Sequence, residues 1–162
     1  MLEEPSLSRQ WVARRLQRAL ALERWGAPLR RGLARLPGPP GEALAGHALA
    51  AEERAARLDE LIRKVGSTPY PVGRIASPIA RLLAATLART SAALGWRAAT
   101  RLAAHTLSEY ASLAAFIDGA PGIPDDIGPT LAPLHDQVKD ELNRLLAGRG
   151  ESGIGLARGP CG

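Results

Sequence analysis

Three histidines (His47, His105 and His135) and three glutamates (Glu23, Glu109 and Glu141) are the residues whose types and spacing suit chemistry. Each falls on the apolar face of a segment with helical periodicity, or, for Glu141, at the margin of one. A charge buried there without a partner is costly, so each group calls for a hydrogen bond, an ion pair or a metal. His105 and Glu109 are spaced i, i+4 and share one side of their helix. Imidazoles and carboxylates converging inside a bundle are the material of a helical metal site for iron or another divalent cation. The plainer expectation is that these groups satisfy one another, or pair with the many arginines, and hold no metal. Nucleophilic catalysis finds no support: Cys161 is the only cysteine, close to the C-terminus and with no fixed base beside it. No glycine-rich loop stands in the strand–loop–helix setting that cradles a phosphate.

The elements that must position these groups are helices. Hydrophobic residues make up 46% of the 162, yet only six are aromatic, so the apolar content is mostly Ala and Leu, which favour helix. Ser6 or Ser8 caps a first helix that runs to about Trp25 and presents Val12, Leu16, Ala19, Leu20 and Glu23 on one face. Gly26 and Pro28 are expected to end it, and the Pro- and Gly-dense stretch 27–41 reads as a connection. A second helix, from about Glu42 to Val65, carries a stripe of Leu44, His47, Ala48, Ala51, Ala55, Leu58, Ile62 and Val65. A third, Arg74 to Leu94, has Ile75, Ile79, Leu82, Leu83, Thr86 and Leu87 on one side and Arg74, Ser77 and Arg81 on the other. It reads as a surface helix packed on the bundle rather than one dipping into a membrane surface, because that apolar face has no aromatic anchor. Gly95 separates it from a fourth helix, Arg97 to about Asp118, facing inward with Leu102, His105, Thr106, Glu109, Leu113, Phe116 and Ile117. A fifth, Thr130 to Ala147, faces inward with Leu131, Leu134, His135, Val138, Leu142, Leu145 and Leu146. The domain expectation is one bundle over 1–148 and a flexible tail over 149–162.

Composition narrows the setting. The formal charge of +5 is carried almost wholly by Arg, with Lys only at Lys64 and Lys139, the bias of a GC-rich bacterial genome. No dense basic run with interleaved aromatics marks a nucleic-acid site. One cysteine fits a reducing compartment, and no stretch has the length of a membrane span, so the expected location is cytoplasmic.

The passages AAEERAARLDELI, PVGRIASPIARLLA, LGWRAATRLAAHTLSEYASL and LHDQVKDELNRLLA carry a likeness. Over His47 to Leu146 the chain resembles the ferritin-like superfamily, particularly bacterial relatives of the demethoxyubiquinone hydroxylases. The resemblance implies an all-α fold, a four-helix ferritin-like bundle with an additional crossover helix. It also implies a family chemistry in which two Glu-x-x-His pairs and two further Glu hold two irons that activate dioxygen. This sequence has no Glu-x-x-His. Aligned on that pattern, Arg54 and Arg57 stand at the Glu and His positions of the second helix, Glu141 is kept with Arg144 at its histidine position, and Glu23 matches the first-helix carboxylate. Glu109 is the acid of the remaining helix, displaced from the family position. Arginines at the two histidine positions are expected to pair with the leftover carboxylates and fill the site with salt bridges, since a guanidinium stays protonated and cannot ligate a cation.

Three functional readings follow. The first is a ferritin-like protein without the standard di-iron site, a non-enzyme that acts through a protein partner or as a homo-oligomer subunit. The second is a metal-dependent oxidoreductase, hydroxylase or iron-storage protein with a site rearranged among the six His and Glu residues. The third takes the tail SGIGLARG, with Ile154, Leu156 and Arg158, as a peptide that loads cargo into an encapsulin shell. A peripheral membrane or quinone-binding role is implied by the resemblance and by the amphipathic third helix.

Overall fold

The structure, a computed structural model, describes residues 7–36 and 39–153, with the side chains of 39–40, 72–76 and 149–153 outside the description. Ser6, Cys161 and the peptide from Ile154 to Arg158 lie outside the described residues, as do the side chains of Arg74 and Ile75. The fold is all-α, with no strand among the described residues. Five helices follow in order: α1 (Leu7–Leu33), α2 (Pro39–Lys64), α3 (Val72–Thr90), α4 (Ala92–Ile117) and α5 (Ile127–Gly153). No described helix is long and apolar enough to cross a membrane.

α1 is the organising element and packs against α2, α3 and α4, while α5 packs mainly on α4 and only thinly on α2. The joint after α2 runs beside the middle of α1, where Gln17 and Arg24 hold the backbone of Thr68 and Tyr70. Gly66, at φ 79°, supplies the left-handed turn that lets Ser67 N–H reach back to the Ile62 carbonyl and close α2. From that joint α3 climbs along the second half of α1, and a single residue, Ser91, separates it from the descending α4.

Several boundaries differ from the sequence reading. α1 does not stop at Gly26 and Pro28 but continues through both to Leu33. Proline cannot donate to the helix ladder, but Leu29 and Leu33 are buried beside Ala80, Ala84 and Ala99, and that packing holds the last two turns. The break between the third and fourth helices falls at Ser91 rather than Gly95, and Gly95 lies inside α4, buried against Leu33. α5 also starts earlier and ends later than expected, since Ile127 is buried in the core and helix continues to Gly153.

The inward faces of α1 and α2 are those the periodicity gives: every residue named for their stripes is buried. α4 is turned. It buries Ala99, Ala103, Thr106, Tyr110 and Leu113, which leaves His105 exposed and Glu109 only half-buried. Small residues allow α4 to approach α1 closely, whereas a face chosen by residue size would have held them apart.

The buried residues form two apolar clusters. One gathers Leu16, Leu20, Leu58, Ile62, Leu113, Leu131 and Val138 among others, with Trp11 and Phe116 packed on it, ring centroids 4.0 Å apart. The other gathers Leu29, Leu33, Leu44, Ala84, Ala99 and Leu145. Between them lies a layer of charge.

Candidate functional site: a buried charged layer

Helical spacing places Glu23 and Arg30 two turns apart on the inner side of α1, Arg54 on α2 and Glu141 on α5, all buried. Arg54 is the hub. Its Nε donates to Glu23 Oε1 at 2.6 Å and its Nη2 to Glu23 Oε2 at 3.0 Å, a two-point grip on one carboxylate. The same Nη2 donates to Glu141 Oε2 at 3.0 Å, so one guanidinium ties the two carboxylates together. Arg30 Nε donates to the other oxygen of Glu141 at 2.5 Å, and the Tyr110 hydroxyl from α4 donates to Glu23 Oε1 at 3.2 Å. Two carboxylates and two guanidinium groups close a neutral set contributed by three helices, with a phenol from the fourth.

The electrostatics follow from this closure. Burial works against the Arg54 charge, but the hydrogen bond and charge of Glu23, with that of Glu141, more than offset it and raise its pKa above the ordinary arginine value. Burial and the neighbouring Glu23 charge push the Tyr110 hydroxyl well above the usual tyrosine range, so it remains a proton donor.

His47 borders the layer. Its Nδ1 is buried, has no hydrogen-bond partner among the described residues and sits 4.0 Å from Glu141 Oε1. Burial lowers its pKa, the Glu141 charge opposes that, and Arg30, Arg144 and Arg54 add to the lowering. An open groove of about 380 Å³ between α2 and α5 is lined by His47, Arg54, Glu141 and Arg144.

The six residues singled out by sequence divide evenly. Glu23, His47 and Glu141 come together in the layer. His105 points to solvent, His135 lies beside Asp136 with its Nδ1 3.2 Å from a carboxylate oxygen, and Glu109 is bound by Arg15 Nη1 at 2.9 and 3.1 Å. No group of three or more His, Cys, Asp or Glu among the described residues could hold a metal ion.

The salt-bridge expectation had the wrong arginines. Arg57 is exposed, 3.6 Å from Glu60, and Arg144 is exposed at the groove. The guanidinium groups that meet the carboxylates belong to Arg54 and Arg30. Arg54 points inward because it continues the 47, 51, 54, 58 spacing of the α2 stripe, which Arg57 leaves.

Arg30 was hidden in a stretch read as a connection. The signal for it is Gly26, one turn earlier: a Cβ there would lie 2.2 Å from Arg30 Nη1 and 3.0 Å from Leu102 Cδ2. The glycine is the space into which the guanidinium folds back. Tyr110 was also missed, although it follows Ala103 and Thr106 at helical spacing.

No protein-family model matches the chain, and no curated protein or solved structure matches it either.

Proposed function

We propose that the chain is a ferritin-like helical bundle in which salt bridges fill the place of a di-iron site, and that it serves as a non-catalytic binding or scaffold subunit. The observation that carries this reading is the Arg54 guanidinium, seated between Glu23 and Glu141 and hydrogen-bonded to both. A permanently protonated group there occupies the carboxylate lone pairs and repels a cation. The donor set does not fit a pair of irons: two of the three histidines lie outside the layer, and each carboxylate of the layer is already neutralised by an arginine. Four long helices, with the shorter α3 between the second and third of them, agree with a bundle that has a crossover helix. A polar layer of this kind, balanced in charge although both Arg30 Nη atoms and His47 Nδ1 are buried without a hydrogen-bond partner among the described residues, favours one seating of the helices and leaves the outer surfaces to act.

The test is elemental analysis of protein expressed in iron-supplemented medium, together with thermal melts in added Fe(II), Mn(II) and Zn(II). The expected protein is folded, holds far less than one metal per chain and melts at the same temperature throughout. Stoichiometric metal that is lost in Glu141→Ala would overturn the reading and favour an oxidoreductase or storage site.

A further inference from the structure

α1 and α3 meet through small residues and carry arginine on both sides of the seam. A Cβ on Gly32 would lie 2.3 Å from the Ala84 Cβ, so the two helices approach almost backbone to backbone. That approach brings Arg31 and Arg35, four residues apart where α1 ends, to the same groove as Arg81 and Arg89 of α3. The groove is about 400 Å³. Ala85, one turn from each of the α3 arginines, has no long side chain to close the space between them.

The charge around this groove has one sign. Its charged lining residues are all arginine, and all four are exposed. Arg31 bonds to Glu52, whereas Arg35, Arg81 and Arg89 have no acidic partner among the described residues. The surrounding sequence offers none: from Leu61 to Ser108 there is no Asp or Glu but seven basic residues. Helix C-termini favour cations, which accounts for Arg31 and Arg89 in the last turns of α1 and α3. It does not account for Arg81, in the middle of α3. Four guanidinium groups gathered round one hollow repel one another, and an anion between them turns that repulsion into attraction.

We propose that this groove binds a chain of phosphoryl groups joined through shared oxygens, as in the triphosphate of a nucleotide or in inorganic polyphosphate. The planar guanidinium fork matches phosphate oxygens and can take two of them at once. Arg81 and Arg89 stand about 12 Å apart along the α3 axis, a spread better matched by a chain than by one phosphate. Such a chain lies along the seam and meets the arginines of both walls, with Gly32 and Ala85 leaving room beneath it. A nucleic-acid strand is a poorer occupant, because its bases would find no aromatic side chain among the lining residues to stack on. The groove shares no lining residue with the buried charged layer, so the reading does not depend on the metal question.

The experiment is calorimetric titration of the full chain, at about 0.15 M salt and without divalent cations, with orthophosphate, tripolyphosphate and ATP. Two double variants accompany it: Arg81→Gln/Arg89→Gln in the groove, and Arg14→Gln/Arg18→Gln, an equal loss of exposed charge at the other end of α1. Tripolyphosphate should bind one per chain and about tenfold or more tightly than orthophosphate. The groove pair should weaken it about tenfold or more, and the distant pair less than about twofold. Without ligand the groove pair should melt no lower than the wild type, since losing it relieves repulsion; a purely structural role would lower the melt. Added tripolyphosphate should raise the melting temperature of the wild type and of the distant pair only. ATP binding as tightly as tripolyphosphate would support the groove with a nucleotide as the source, and much weaker ATP binding would support it with the inorganic chain. The proposal is overturned by absence of tripolyphosphate binding, by equal weakening in the two variants (a merely basic protein), or by orthophosphate matching tripolyphosphate. Tighter binding of a single-stranded oligonucleotide or a glutamate-rich peptide of matched charge would overturn it too.

Discussion

Replacing Arg54 with alanine should cost the fold far more than any other single truncation of a charged side chain. Arg54 holds Glu23 at two points and Glu141 at one. Its removal leaves the two carboxylates unequal: Glu141 keeps Arg30 Nε at 2.5 Å, whereas Glu23 keeps only the Tyr110 hydroxyl at 3.2 Å. Glu23 therefore becomes a buried charge without a counter-charge, a change that costs about 3–5 kcal/mol. For a chain of this size that lowers Tm by roughly 6–20 °C. The asymmetry sharpens the test, because Glu23→Gln should rescue Arg54→Ala while Glu141→Gln should not. Urea unfolding followed at 222 nm on the three single and two double variants gives the coupling directly. A loss below about 1 kcal/mol, the size of an exposed ion pair, or equal rescue by both glutamines, would refute the assignment of Arg54 as the hub.

Three further outcomes are expected. Gly26→Ala should destabilise by about 1–3 kcal/mol despite the better helix propensity of alanine, because its Cβ displaces the Arg30 guanidinium; pairing it with Arg30→Met should recover most of the loss in a thermal melt. His47 has a folded pKa below its unfolded value, so its contribution is present above about pH 6.5 and is lost as pH falls through the folded pKa; His47→Leu should flatten that limb of the stability curve. Tyr110→Phe removes one hydroxyl donor to Glu23 and should cost about 0.5–1.5 kcal/mol by urea titration, with no change in helicity.

What could be read from sequence divides along a physical line. On α1 and α2 the inward face is both periodic and made of large apolar residues, so Leu16, Leu20, Leu58 and Ile62 declare it, and Glu23 and His47 stand out as polar residues in register with them. On α3 and the first half of α4 the fully buried positions are small, Ala80, Ala84, Gly95, Ala99 and Ala103. Hydropathy favours Ile79 and Leu82 over Ala80 and Ala84, and Leu102 over Ala99, so it selects the wrong side wherever close approach rather than bulk sets the packing. His105 and Glu109 were drawn into the candidate site by that same error. Arg30 was missed because Gly26 and Pro28 carry strong stop signals, and only tertiary packing overrides them. The pairing of two carboxylates with arginine was legible in kind, but which arginines take part depends on a helix phase that a one-residue slip along the chain changes by 100°.

The charged layer also acts as a ruler. Stripes of leucine and alanine repeat every three or four residues, so a helix displaced by one turn, about 5.4 Å, would still find apolar partners of similar size. Displacing α2 that way carries Arg54 out of reach of Glu23 and sets it against the leucines of one cluster or the other, with both charges stranded. The two clusters alone would tolerate several registers; the layer between them admits one. A variant with Glu23, Arg30, Arg54 and Glu141 all replaced by apolar residues should keep its helical content, gain thermal stability and give broadened amide resonances, because it would no longer have a single way to seat its helices.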